Sequence, residues 1–390
     1  MKKINLLSTA IAVSFASLAV SPAFAEPSLL NYTEATSSYE DAYVTGHFNV
    51  GSGNQAQSNY DLDLSLDYEK VFSSPNRNTK LDFNGSGSRS RGSKKGDETK
   101  SDYQLLGSAT VDNYFQPNSK GAFWYGKGEV GAKKDQKKAF TKATVGVGYG
   151  RVVNVTPMAR AIRVVQALRK NGALGSDVSN STYQSIANII SREAEYRSKH
   201  GAKDYQQYWV ADIEKALKNG GALGAKGTIK AYDVLTHERI STRKYGWLVR
   251  AGIGAVLSDY DGETGKPAVE VGAEYHLPLS NQTQFSNEAI FTTTLKDNSN
   301  SYIVNNNMSL THELTDMIDW ENKWSLNYSK SDHAKSTTSN TLTSSFNYEL
   351  TNQLDFNITA SLSKINDKID NNGNDGVDKR LTMGVKYRLK

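Results

Sequence analysis

Residues 60–69 read Tyr60-Asp61-Leu62-Asp63-Leu64-Ser65-Leu66-Asp67-Tyr68-Glu69. Apolar and polar residues alternate without a break, the period of a β-strand whose two faces meet different media. Asp61, Asp63, Asp67 and Glu69 share one face, while the other carries three leucines between two tyrosines. A sandwich strand rarely loads one face with that much charge. A transmembrane barrel strand does so, because one face meets lipid and the other water.

The alternation recurs. Trp247, Val249, Ala251, Ile253, Ala255 and Leu257 interleave with Leu248, Arg250, Gly252 and Gly254. Val269, Val271, Ala273, Tyr275 and Leu277 interleave with Glu270, Gly272, Glu274 and His276. Comparable runs surround Trp320–Tyr328, Leu354–Leu362 and Leu381–Leu389. Each is about ten residues long, enough to cross a bilayer at a barrel tilt. Turn signals separate them: Ser73-Ser74-Pro75-Asn76, Gln116-Pro117-Asn118, Ser280-Asn281, Thr315-Asp316 and Thr351-Asn352. About fourteen strands are expected, near 40–50, 57–71, 79–90, 101–114, 121–132, 139–152, 245–258, 267–277, 283–294, 301–313, 317–329, 338–350, 353–364 and 379–389. An even count puts both chain ends on one side.

Composition agrees. Of 390 residues only 37% are hydrophobic, 31 are glycine, 21 are tyrosine and none is cysteine. Past the N-terminus no apolar run approaches the roughly 20 residues of a membrane helix, so a helical membrane protein is excluded. The missing cysteines exclude disulfides, thiolate metal sites and a Cys nucleophile. Met1-Lys2-Lys3, the apolar Ile4–Val20 and Ala23-Phe24-Ala25 form a secretory signal over residues 1–25, with a mature start expected at Glu26. Both ends of the barrel are then expected in the periplasm of a Gram-negative bacterium.

Between residues 153 and 243 period two disappears, dividing the barrel into residues 26–152 and 244–390. Thr156-Pro157 is expected to open a helix with Thr156 as N-cap, carrying Ala159, Ile162, Val165, Ala167 and Leu168. Ser179 to Ser181 is expected to cap a second, running to Gly201, and Asp204 a third, stopped at Gly220-Gly221. A fourth short element spans about 228–239. Helices cannot sit in a barrel wall. The insert is therefore expected at the periplasmic end or in the lumen. Sixteen Lys and Arg stand against eight Asp and Glu between Arg151 and Lys244, whereas the rest of the mature chain is acidic. The basic helices are expected to gate or plug the mouth, or to hold a periplasmic partner through Arg160, Arg163, Arg169, Lys170, Arg192 and Arg197.

Motifs for chemistry are weak. The six histidines form no H-x-x-x-H or H-E-x-x-H pair, and no G-x-S-x-G is present. His276 with Glu274 and Glu270 is the best metal-like trio, but a wet lumen row explains it better, and no metal or cofactor is expected. The loop at Asp370 lacks the glycine and glutamate of a calcium loop. Tyr205, Tyr208 and Trp209 fall at helical spacing, as core rather than nucleic-acid contacts. Neither catalysis nor nucleic-acid binding is expected. The expected lumen lining includes Asp61, Asp63, Asp67, Glu69, Arg250, Glu270, Glu274, Asp319, Glu321, Lys386 and Arg388. Its carboxylate excess favours cations, unless paired charges cross-link the wall.

His47-Phe48-Asn49-Val50-Gly51-Ser52-Gly53-Asn54, Thr144 to Arg151 and Asp378 to Tyr387 resemble the YdiY-like salt-induced outer-membrane proteins. The resemblance covers residues 40–152 and 245–390. It implies an outer-membrane barrel linked to salt or envelope stress, and the helical insert departs from it. The sequence thus predicts an all-β transmembrane barrel with an α-helical periplasmic insert, in contact with outer-membrane lipids and inserted by the barrel-assembly machinery. Tyr387 and Leu389 are expected to stand in for the terminal aromatic that machinery reads. The function expected is a narrow, cation-preferring pore; the alternative is a non-conducting docking barrel.

Overall fold

The alternating segments form one continuous antiparallel ladder in a computed structural model that describes residues 27–33, 36–175, 178–217, 223–295, 301–330, 335–369 and 376–389. The expected signal peptide, the Gly220-Gly221 stop, His333 among the six histidines and the calcium-like loop from Asp370 to Asp375 lie outside the described residues. The strands before the insert are β1 (Ser37–Gly51), β2 (Asn59–Ser73), β3 (Arg77–Arg91), β4 (Thr99–Tyr114), β5 (Ala122–Lys133) and β6 (Phe140–Asn154). After it come β7 (Lys244–Ser258), β8 (Lys266–Pro278), β9 (Thr283–Thr294), β10 (Ser301–Thr315), β11 (Ile318–Lys330), β12 (Thr337–Thr351), β13 (Leu354–Asn366) and β14 (Asp378–Arg388). Each pairs with its sequence neighbours, and β1 pairs with β14 from Tyr43↔Arg388 to Gly46↔Val385, closing the barrel. Closure leaves none of the described strands as a free edge, as a bilayer demands, although the β1–β14 seam is paired over only four residue pairs.

The alternation sorts side chains as expected. Leu64, Val130, Val145, Val147, Ile253, Val271 and Leu381 are exposed on the outside. Trp124, Tyr149, Trp247, Tyr275 and Tyr348 lie outward near the end that carries the insert, with Tyr149 and Trp247 ring centroids 6.0 Å apart. An apolar band with an aromatic girdle is the surface a bilayer covers. Inside, Phe123 and Tyr125 are fully buried. A Cβ on Gly148 would run into the Phe123 ring, and one on Gly252 into the Tyr125 hydroxyl, so glycine at these two positions makes room for both rings.

The insert folds as four helices: α1 (Thr156–Lys170), α2 (Asn180–Ser191), α3 (Glu193–Leu217) and α4 (Gly224–His237). None of the described helices is long and apolar enough to cross a membrane. Ser179 caps α2 as expected, its Oγ accepting from the Thr182 N–H at 3.2 Å. Three expectations need correction. Thr156 is not the N-cap of α1: the cap position is Val155, without a side-chain hydrogen bond. The Asn154 Oδ1 accepts from the Thr156 N–H at 3.0 Å, and Thr156 Oγ1 accepts from the Arg243 N–H at 2.9 Å. Thr156 therefore ties the insert's entry to its exit. The second helix stops at Ser191 rather than at Gly201, because the chain leaves helical geometry at Arg192. Gly201, at φ 79°, is instead a kink inside α3, a left-handed conformation that glycine adopts at little cost, and Asp204 lies within α3 rather than capping a separate helix.

Ile162, Val165 and Leu168 of α1 pack with Ile186 and Ile190 of α2, Trp209 and Ile213 of α3 and Val234 of α4. Leu29 and Tyr32, ahead of β1, join this core. The Trp209 Nε1–H donates to the Ile189 carbonyl at 3.0 Å. Tyr205 is buried beside it as expected, but Tyr208 is 47% exposed and stacks on His200 at 3.9 Å instead of entering the core. Trp209→Ala is expected to destabilise the helical unit by about 3–5 kcal/mol. Limited proteolysis should then cut α3 in a barrel that still resists cleavage; equal protection of α3 in both forms would contradict this.

Candidate functional site

The notable site lies where the insert meets the barrel mouth. The β6–β7 ladder runs down to Asn154↔Lys244, and Val155 N–H donates to the Arg243 carbonyl at 2.8 Å. The six residues between α4 and β7, Glu238 to Arg243, form a strap. Arg239 Nη1 donates to both carboxylate oxygens of Asp355 on β13, each at 2.6 Å. Thr242 Oγ1 donates to Asp41 Oδ2 on β1 at 3.1 Å. Arg243 is fully buried and donates to Glu313 Oε1 on β10 at 2.7 Å and to the Asn281 carbonyl in the β8–β9 turn at 3.1 Å. Glu313 Oε1 also accepts from the Ser241 N–H at 3.1 Å. In the ring, β13 and β1 both stand six strands from β7, on either side of its diametric opposite. A segment rooted on β7 that reaches both must cross the mouth.

Arg163 of α1 reinforces the latch, at 2.6 Å from Glu313 Oε2 and 2.8 Å from Asp316 in the β10–β11 turn. Glu313 thus lies between two guanidinium groups and is 3% exposed. Buried charges persist only when paired in this way. Burial holds the Arg243 guanidinium below its ordinary value, and Glu313 works in the opposite direction.

Above the strap the lumen is polar and acidic. A cavity of about 360 Å³ is lined by Asp41, Asp67, Glu69, Asp82, Glu288 and Glu321 against Lys80 and Lys323. Lys244 Nζ of β7 lies 2.9 Å from Glu69 Oε1 of β2, five strands away in the ring, so opposite walls come within one side chain's reach. Of the expected lining, Glu270 is buried and held by Lys142 at 2.5 Å and Lys127 at 3.1 Å. Arg250 pairs with Glu274 at 2.8 Å and Arg388 with Asp41 at 3.2 Å. Lys386 lies 4.1 Å from the Tyr43 ring centroid. Asp319 and Glu321 line a cavity of about 180 Å³ directly against the strap, and Asp61 and Asp63 meet Arg380 at 3.2 and 3.4 Å.

The basic residues expected to dock a partner are scattered. Arg163 is spent on the barrel, Arg192 Nε donates to the Asn188 carbonyl at 3.3 Å, and Arg197 pairs with Glu193 at 3.5 Å. Lys170 is exposed, with Arg169 partly buried beside it at the end of α1. Arg160 faces a cavity of about 440 Å³ between insert and barrel, where its Nε is buried without a hydrogen-bond partner. Sequence reasoning missed Arg239, Arg243, Asp41 and Glu313. The run Arg239-Ile240-Ser241-Thr242-Arg243-Lys244 was their only local signal.

A family model described as a protein of unknown function, DUF481, matches residues 236–350, which hold the strap and β7 to β12. The YdiY-like proteins belong to that broader family, so the match agrees with the resemblance at the coarser level. No curated protein matches the chain. Among solved structures, a loop-deletion form of OmpT, an outer membrane protein of Vibrio cholerae, is 7% identical. The alignment covers 91% of this chain and 100% of that one, with a TM-score of 0.32. The COG4313 outer membrane channel from Pseudomonas putida F1 is 6% identical over 95% and 99% of the two chains, with a TM-score of 0.32. Omp33 of Acinetobacter baumannii is 8% identical over 91% and 99%, at 0.28. By description these are outer-membrane proteins, one of them a channel; the closed ring of this chain rests on its own ladder.

Proposed function

We propose that this chain is a narrow, cation-preferring channel of a Gram-negative outer membrane, closed at its periplasmic end by the strap and the helices that carry it. The observation that carries the reading is a lumen cavity lined by six carboxylates and two lysines, with a charged strap laid across its mouth. Carboxylates along a confined aqueous path raise local cation concentration and repel anions. The apolar outer band and aromatic girdle support the membrane placement, and short turns at the insert end support the periplasmic orientation. The reading assigns no catalysis, nucleic acid or cofactor.

The test is the reversal potential of single channels in a planar bilayer across a KCl gradient. The sign expected is that of potassium permeating more readily than chloride. Anion preference would overturn the charge argument, and silence of both the full chain and a strap-free form would overturn the channel. In that event the non-conducting docking barrel becomes the better reading. One observation favours it: the Arg160 Nε without a partner in the cavity between insert and barrel.

A further inference from the structure

We propose that Glu274, His276 and Glu288 form a binding site for a divalent transition metal of the zinc class in the barrel wall, independent of whether the lumen conducts. The sequence suggested Glu270 as the third member, but Glu270 is held by Lys127 and Lys142. The β8–β9 register supplies a better one, setting Glu288 directly opposite Glu274 and Ser286 opposite His276. Two carboxylates facing each other across a ladder repel unless a cation lies between them.

His276 is 1% exposed. Its Nδ1 lies 2.9 Å from Ser286 Oγ, and its Nε2 has no hydrogen-bond partner. With the proton on Nδ1, donated to the serine, Nε2 turns its lone pair toward the two carboxylates. It lies 3.7 Å from Glu274 Oε2 and 3.8 Å from Glu288 Oε1, too far for a hydrogen bond. One ligand atom from each residue falls within a 4.8 Å cluster. Three donors at roughly 2.0–2.1 Å from one tetrahedral ion stand about 3.4 Å apart, so an inward turn of the carboxylates completes the set. A hydrogen bond on the distal imidazole nitrogen is the usual device that orients a metal-binding histidine.

The neighbouring cations leave room. Arg250 takes Glu274 Oε1 at 2.8 Å and leaves Oε2 toward His276. Lys80 pairs at 3.4 Å with both Glu69 and Asp82; it also attracts Glu288, without an ion pair to it within 4 Å. Glu288 and Ser286 also line the 360 Å³ lumen cavity, which gives an ion an entry path and water for its remaining positions. One imidazole with two carboxylates suits zinc, whereas magnesium and calcium take oxygen alone.

The test uses the full-length protein in detergent, stripped with a chelator and titrated calorimetrically with zinc chloride, with magnesium chloride alongside. One zinc per chain and no comparable magnesium uptake are expected. His276→Ala and Glu288→Gln should each weaken zinc at least about tenfold, with the heat-modifiable barrel band on a gel unchanged. His200→Ala, on the exposed insert, should leave the titration unaltered. If His276→Ala fails to fold, Glu288→Gln carries the test, because that side chain is 43% exposed and its loss opens no core cavity. Zinc binding unchanged in Glu288→Gln, or no uptake by the parent, overturns the site. Neither result bears on conductance.

Discussion

Replacing residues 157–242 with a short turn is expected to raise single-channel conductance and, in the same recording, to sharpen cation preference. The excision is structurally clean. The β6–β7 ladder holds its register to Asn154↔Lys244, so a tight turn can close it without disturbing the wall. Two effects should then appear together. Removing the strap clears a mouth that Arg239 and Thr242 now cross to β13 and β1. It also strips Arg239 from Asp355 and Arg163 from Glu313, while Glu313 keeps Arg243 and Asp41 keeps Arg388, so the deletion leaves Asp355 facing the opening without its guanidinium partner and Glu313 with one in place of two. An insert that merely obstructs would raise conductance and leave selectivity where it was. Conductance unchanged by the deletion would mean that the narrow point lies elsewhere, for which the Lys244–Glu69 bridge is the nearest candidate.

That bridge and the strap mark the limit of what the sequence discloses. The wall was legible because alternation is local: the expected strand at 283–294 is the observed β9, and 245–258 differs from β7 by one residue. The alternating runs of about ten residues sit inside strands of 11 to 16, close to the expected ranges, because the ladder continues past the apolar band into the polar rims. The helices were legible by their stripes, but not the break at Arg192, which carries no glycine or proline to announce it. The latch was not legible at all. Arg243 meets Glu313 across 70 positions, Arg239 meets Asp355 across 116, and Thr242 meets Asp41 across 201. Such pairs are set by ring closure, which no local period encodes. The metal trio shows the same limit: spacing along β8 offered Glu270, and only the β8–β9 register exchanges it for Glu288.

Glu313→Gln should release the strap more completely than any other single change. The carboxylate is 3% exposed and has Arg243 at 2.7 Å on one oxygen and Arg163 at 2.6 Å on the other. The amide keeps the shape and loses the charge, which leaves two guanidinium groups without their shared counter-ion. Breaking one side of a buried ion pair costs about 3–5 kcal/mol. If the strap's closed and open positions differ by that latch, a loss of about 3 kcal/mol shifts the balance roughly 100-fold toward open. The open fraction in bilayer recordings should rise, and a protease added from the insert side should cut between Glu238 and Arg243 at a rate the parent does not show. The double variant Glu313→Leu with Arg243→Met separates latch from fold. Replacing both partners by apolar groups of similar volume removes the uncompensated charge, so protection should return in part, limited by Arg163, which still lacks Glu313. Should Glu313→Gln gate and resist cleavage as the parent does, Arg239 and Thr242 alone hold the strap, and the latch belongs to Asp355 and Asp41.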